Sequence, residues 1–421
     1  MVLDGEAPCS KNGKRVPART RLLAVLLIGT LLLVVAASPA AGALPLRLRL
    51  ARALHVGHIS LAFAGAAVVD LETGETVYSH NAALSLLPAS NEKLAVTYAA
   101  LTALGPAFRI ETDVLGDGAQ DGTSWNGDLV LKGYGDPSLS RASIAALARQ
   151  VAEAGIARVT GRVLGDESWF DARRTGLGWK RSFYLLESPP LSALIVDRGR
   201  TGRRTTTQPA LAAAQLLRTA LIHDGVAVAG PAALGVAPDD AVPLADHESP
   251  TVAALVRSMD RDSDNFTAEM LLKQVGAVQG GGGTTADGAG VTTGLLQAAG
   301  VPLDGVRLVD GSGLSRLDRW TPAALVTLLR AMWDDPGVQP ALLASLPVAG
   351  RTGTLSDRMR TGPARGLVRA KTGTTSNASA LSGFVGDRYV FSVLENGWPV
   401  SWTYARISQD RFATVLAAAA R

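Results

Sequence analysis

Within Pro88-Ala89-Ser90-Asn91-Glu92-Lys93, a hydroxyl and an amine stand three residues apart at the head of an apolar, Ala-rich run that reaches Leu104. Three residues along a helix bring two side chains onto one face, about 5–6 Å apart at Cβ. A serine hydroxyl attacks poorly until a neighbour takes its proton, and a desolvated lysine can take it. Lysine usage points the same way. Of 41 Lys and Arg, only seven are Lys, at 11, 14, 93, 132, 180, 273 and 371. Where Arg is the default cation, a Lys marks a place where a cation must be able to lose its proton, because burial can neutralise Lys and not Arg. Taken alone, the pair reads more readily as a helix start, with Ser90 the N-cap and Lys93 a solvated first-turn residue. The rest of the chain has to decide.

Other chemistries find little support. The only cysteine is Cys9, so neither an internal disulfide nor a Cys-based metal site or nucleophile is available in the folded part. The five histidines, at 55, 58, 80, 223 and 247, show no ligand spacing. No metal and no cofactor are called for. Gln279-Gly280-Gly281-Gly282-Gly283 lacks the Lys-Ser/Thr ending of a phosphate loop. Formal charge is +4, of which the first 43 residues supply +3. The high pI is therefore no argument for nucleic acid, and no basic stripe carries interleaved aromatics. Asp166, Glu167 and Asp171 read as solvated loop residues rather than a ligand site.

The elements that must position Ser90 emerge from the order of the chain. Basic residues over 11–21, an apolar run from Leu22 to Ala37 and the small-x-small site Ala41-Gly42-Ala43 make residues 1–43 a signal peptide or a retained membrane anchor. The chain beyond residue 43 is expected outside the cytoplasm. Leu and Arg alternate over Leu44–Arg52, which fits either a membrane surface or an amphipathic lead-in. Ala64–Asp70 and Glu75–His80 read as a hairpin feeding the Ser90 helix. Residues 108–245 hold short strands, turns and helices at Ser143–Ala154 and Ala210–His223, with Arg158–Leu164 as a strand; they read as an inserted α+β region. Residues 57–107 and 246–421 are then two parts of one catalytic domain. The second part is expected to hold helices over Thr251–Met259, Thr267–Val275 and Thr321–Trp333, and strands over Val306–Val309, Ala380–Gly386 and Tyr389–Glu395. A closing helix over Phe412–Ala420 completes an antiparallel sheet covered by helices.

Two further short segments join Ser90-x-x-Lys93: Ser263-Asp264-Asn265 and Lys371-Thr372-Gly373. In this order the three motifs are those of penicillin-binding proteins and class A β-lactamases. The chain resembles the serine penicillin-recognising enzymes, and more closely the low-molecular-mass class C penicillin-binding proteins, the D-alanyl-D-alanine carboxypeptidase/endopeptidase family. Gly135-Asp136-Pro137 with Leu139, Ser263 to Glu269, Asp310 to Arg316, and Gly353-Thr354-Leu355 with Arg358 extend the resemblance over most of the chain beyond about residue 60. The 173 residues between the first two motifs match the long insertion of the class C group, not the shorter class A spacing.

The resemblance implies an α+β, β-lactamase/transpeptidase-like fold with a large α+β insertion. It implies that Ser90 attacks the penultimate D-Ala carbonyl of a peptidoglycan stem peptide and that Lys93 takes its proton. Ser263 and Asn265 would pass a proton to the leaving amine and orient Lys93 and the substrate amide. Lys371, with Thr372, Gly373 and Thr374, would bind the terminal carboxylate, and the backbone N–H groups of Ser90 and Thr374 would form the oxyanion hole. β-Lactams would be covalent inhibitors. Burial and nearby cations should depress the Lys93 pKa. Arg351-Thr352-Gly353-Thr354 echoes the third motif, but Lys371 precedes the more strand-like run and is the better candidate. A β-lactamase or esterase on the same fold, and a non-catalytic wall-binding protein, remain as alternatives.

Overall fold

The structure is a computed structural model that describes residues 44–202 and 204–421. The signal or anchor expected over 1–43 lies outside the described residues.

A five-stranded antiparallel sheet carries the site, in the order Val368–Thr374, Ala378–Val385, Tyr389–Asn396, Ala64–Asp70, Thr76–His80. The strands Ala378–Val385 and Tyr389–Asn396 are buried at every position. Their apolar residues therefore divide between two faces with period two. Ala380, Phe384, Val390 and Leu394 pack with Leu94, Val256, Leu271 and Leu325 from the helices Lys93–Ala99, Val252–Asp262, Asn265–Gln279 and Pro322–Asp334. Leu381, Val385, Phe391 and Val393 pack on the other face with Phe412 and Leu416 of the helix Trp402–Ala419.

Leu50 and Leu54, on the helix Leu46–Leu54, are buried in that second layer. The helix thus turns Leu50, Ala53 and Leu54 to the protein, as an amphipathic lead-in would, while Leu48 stays exposed. Among the described residues no helix is long and apolar enough to cross a membrane.

Between Leu104 and Ser249 the chain builds a second sheet with its own core. The hairpin Glu111–Asp121/Ser124–Gly133 is flanked by Val242–Glu248 on one side and by Val163–Asp166 and Ala232–Leu234 on the other. The helices Arg141–Glu153 and Pro209–His223 cover one face around Leu129, Leu147 and Leu217. The outgoing and returning chains are tied where Ile110 N–H donates to Ser249 Oγ (2.9 Å). Arg158–Leu164 is not one strand. It breaks at Gly161, where the backbone passes so close to Asp128 that a Cβ would stand 2.2 Å from its carboxylate. Val306–Val309 is reduced to a single bridge between Arg307 and Arg319.

Candidate active site

Ser90 sits in a 3-10 turn, Ala89–Glu92, that runs directly into the helix Lys93–Ala99. In a 3-10 turn residues i and i+3 eclipse. The fully buried Lys93 therefore lies over Ser90, its Nζ 3.0 Å from Oγ. Ala89 is held in the left-handed region at φ 47°. Gly313, at φ +79°, presses on it so closely that a Cβ there would be 1.9 Å from the Ala89 carbonyl oxygen. The Ser90 turn is clamped rather than free.

Lys93 Nζ has two other partners, Asn265 Oδ1 at 2.8 Å and the Ser312 carbonyl at 2.6 Å. Both are acceptors. A neutral amine has two N–H donors and one lone pair. With both donors committed, the lone pair is left for the Ser90 hydroxyl, the arrangement a general base needs. Asn265 Nδ2 donates to the Glu187 carbonyl (3.1 Å), which fixes the amide so that its oxygen faces Lys93.

The second motif lies at a helix junction. Ser263 ends Val252–Asp262 in the left-handed conformation (φ 59°), and Asp264 caps the next helix by accepting from Phe266 N–H at 3.1 Å. The break aims Ser263 Oγ at Lys371, whose Nζ donates to it at 2.9 Å. Lys371 lies on the edge strand Val368–Thr374 and is fully buried. Asn91 Nδ2, from the Ser90 turn, donates to the Lys371 carbonyl at 3.0 Å. Gly373 allows this approach. A Cβ there would be 2.8 Å from the Pro88 carbonyl oxygen and 3.0 Å from Ser90 N.

The register sets the direction of Thr374. Thr375 N–H closes the hairpin on the Ala378 carbonyl (2.8 Å), while Ala370 N–H turns outward to the Pro347 carbonyl (3.0 Å). Alternation along an antiparallel ladder then sends the Thr374 N–H off the sheet edge, into the cleft beside Ser90. Thr372 Oγ1 donates to Thr354 Oγ1 at 2.7 Å.

Burial pulls the Lys93 pKa down to about 8, against the opposing pull of Asp310, Glu269, Asp264 and Asp260. Burial, with the charge of Lys93 added, brings Lys371 to about 7. Lys371 is thus not the fixed cation that the sequence suggests; its burial and the charge of Lys93 both weaken its hold on a proton. Beneath Lys93 lie further buried acids. Glu269 accepts from the Gly311 and Ser312 N–H groups (3.0 and 2.8 Å), and burial pushes it up to about 8. Glu92 accepts from the Trp320 indole (2.9 Å) and is pushed well up by burial. Asp310 receives the Gly313 and Ser315 N–H groups and the Trp179 indole, each at 2.7 Å. These bonds hold the 310–315 turn that presents the Ser312 carbonyl to Lys93.

All the sequence-derived residues, Ser90, Lys93, Ser263, Asn265 and Lys371 with Thr372, Gly373 and Thr374, therefore come to one cleft. Sequence reasoning missed Asn91, Asp260, Glu269, Thr354 and the Ser312 and Glu187 carbonyls. The glycines around Ser312 were a signal for a special turn; a backbone carbonyl has no side-chain type to read. The segment between Leu104 and Ser249 also reaches the cleft, through Trp179, Glu187 and Lys180, whose Nζ donates to Ser376 Oγ at 2.9 Å. Arg351 lies exposed in a turn against Gly366, not on the edge strand. The acids at 166–171 are not merely solvated. Asp166 is buried and accepts from Ala237 N–H (2.9 Å), Glu167 pairs with Arg174, and Asp171 pairs with the buried Lys273.

Comparison with known proteins bears on what such a cleft does. Residues 46–208 and 202–419 match the D-Ala-D-Ala carboxypeptidase 3 (S13) family. A D-alanyl-D-alanine carboxypeptidase of Actinomadura sp. (strain R39) is 33% identical over 420 residues, covering 80% of this chain and 78% of that one. Carboxypeptidase DacB of Mycolicibacterium smegmatis is 31% identical, covering 83% and 79%. Among solved structures, penicillin binding protein 4 (dacB) from Haemophilus influenzae superposes with a TM-score of 0.77 at 23% identity, over 87% of this chain and 97% of that one.

Proposed function

The chain belongs to the D-Ala-D-Ala carboxypeptidase 3 (S13) family, and from that premise we propose that its cleft removes the terminal D-Ala of peptidoglycan stem peptides through an acyl-enzyme on Ser90. It is a serine-type DD-peptidase of the low-molecular-mass class C penicillin-binding group. The β-lactamase or esterase reading and the non-catalytic reading are not favoured, because the relatives are carboxypeptidases.

A stem peptide would lie along the edge of Val368–Thr374 beyond Ala370, its terminal carboxylate at Lys371 and Thr372 and its reacting carbonyl oxygen at the Ser90 and Thr374 N–H groups. The incoming carboxylate would recharge Lys371, and that cation would push Lys93 further towards the free amine. Lys93 then takes the Ser90 proton as Oγ bonds to carbon. The proton then passes to the leaving nitrogen as the C–N bond breaks, with Ser263, hydrogen-bonded to Lys371, as its relay. Water would reverse these steps, giving its proton to Lys93 and freeing Ser90. The observation that carries this reading is the Lys93 amine, whose two other partners can only accept.

β-Lactams would acylate the same serine; the Haemophilus protein has been solved in complex with one. An extracytoplasmic location follows from such a substrate. We also propose that 57–107 and 246–421 are one catalytic unit with 108–245 inserted in it, supported by their separate apolar cores, and that the helix Leu46–Leu54 joins the first. The test is labelling with a fluorescent penicillin, with D-Ala release from a stem pentapeptide measured beside it. Both are expected to vanish in Ser90→Ala, and labelling that survives it would remove Ser90 as nucleophile.

A further inference from the structure

Two of the seven tryptophans, Trp398 and Trp402, are exposed, at 67% and 50%, while the other five are buried or half-buried. They flank one loop, residues 397–402, with Phe63 (48% exposed) packed edge-on to Trp398 at 5.7 Å. This loop is fastened to the turn beyond the Lys371 strand. Trp402 Nε1 donates to the Thr375 carbonyl at 2.8 Å, Val400 N–H to the Ser376 carbonyl at 3.1 Å, and Gly397 N–H to the Asn377 carbonyl at 3.0 Å. The 375–377 turn has the cleft on one side and the exposed rings on the other.

The direction of the substrate says what reaches those rings. With the terminal carboxylate at Lys371 and Thr372 and the reacting carbonyl at Thr374, the peptide runs antiparallel to the strand. Its amino end leaves past Thr375, each extended residue advancing about 3.4 Å. In peptidoglycan that end is joined to a chain of N-acylated amino sugars. Pyranose rings present C–H faces, and an indole or phenyl held with its face to solvent is the surface they stack on.

We propose that Trp398, Trp402 and Phe63 form a platform for the glycan strand to which the stem peptide is attached. It rests on the DD-peptidase reading for the substrate's direction. The platform gives the enzyme a preference for polymeric, glycan-linked peptide over free peptide.

The test compares the full chain with Trp398→Ala and Phe63→Ala on two substrates, free stem pentapeptide and the same peptide on glycan. On the glycan-linked substrate kcat/KM should fall roughly three- to tenfold, through KM, with the free peptide unaffected. The wild-type protein should also be retained on immobilised, peptide-free glycan strands and be eluted by soluble glycan oligomers, a measurement that needs no variant. Equal losses on both substrates would make the loop a support for the cleft and overturn the proposal. So would unchanged kinetics on glycan-linked peptide, or rings that partition the protein onto anionic phospholipid vesicles while glycan does not retain it. Penicillin labelling of Ser90 in each variant separates this outcome from failure of the DD-peptidase reading, which would abolish labelling in the wild type too.

Discussion

Gly373→Ala tests the closeness of the Lys371 strand to the Ser90 turn. The added Cβ would meet the Pro88 carbonyl oxygen at 2.8 Å and both the Ala89 Cβ and Ser90 N at 3.0 Å. Relief would take a shift of roughly half an ångström, and these are backbone atoms and a Cβ, which cannot swing aside as a long side chain can. The turn has no room to retreat, because Gly313 packs against the Ala89 carbonyl from the other side. The strand must move instead, and it carries the Lys371 ammonium and the outward Thr374 N–H. Overpacking of this kind costs about 1–3 kcal/mol. If that cost falls on the acylation transition state, the second-order rate with penicillin drops roughly 5- to 150-fold. Stopped-flow labelling with a fluorescent penicillin measures it, and thermal unfolding shows how much of the cost falls on stability. Gly290→Ala is the control. Its Cβ would meet nothing within 4 Å on the helix Thr285–Ala298, so acylation should be unchanged and stability slightly raised. A Gly373→Ala protein with wild-type acylation and wild-type melting would refute the contact.

Four more substitutions probe charged groups in the cleft and outside it. Lys371→Met removes the cation expected to meet the substrate carboxylate, and a charge-assisted bond of about 1.5–3 kcal/mol should appear as a roughly 10- to 100-fold loss in acylation rate, with melting little changed. Asp171→Asn should destabilise more than Lys273→Met in denaturant titrations, by up to about 3 kcal/mol against about 1, because the first strands a cation 1% exposed while the second leaves a carboxylate 32% exposed. Glu395 is pushed up to about 8 by burial. The folded state therefore holds its proton where the unfolded chain has lost it, and stability is lost as pH rises from about 4.5 to about 8, at no more than about 1.4 kcal/mol per pH unit. Glu395→Gln keeps an acceptor for Gln409 Nε2, now at 3.0 Å, and should flatten that slope, though not abolish it, since Glu269 also stands near 8.

What could be read from the sequence was what side-chain type and period encode. Ala64–Asp70 is a strand over the expected residues because its run of small and β-branched residues fits a doubly covered sheet. The three motifs were legible because Ser, Lys and Asn act through their own side chains. The closing helix was expected from Phe412 but starts at Trp402, because the residues it buries before Phe412 are Ala405, Ser408 and Gln409, one small and two polar, which give only a faint apolar stripe. Ser312 and Glu187 act through carbonyl oxygens, which any residue could supply. Asp260 is hidden for another reason. It accepts from Thr97 (2.7 Å) and Ser345 (2.8 Å) at large sequence separation, and its influence on both lysines arises only once those elements pack. The partners of Asp171 and Glu167 were equally unreadable, since an acidic residue in a loop looks the same whether or not a distant Lys or Arg folds onto it.

Acylation by this cleft depends on Lys93 being able to shed its proton at working pH while bonded to Ser90. The most direct measurement is the pH dependence of the acylation step at saturating penicillin, with the modified residue mapped by mass spectrometry. With Lys93 near 8 when unliganded, and lower once Lys371 is recharged, the rate should rise at least about tenfold between pH 6 and 8, level off above, and place the label on Ser90. A rate that stays flat from pH 6 to 10, or a label on any other residue, would contradict it.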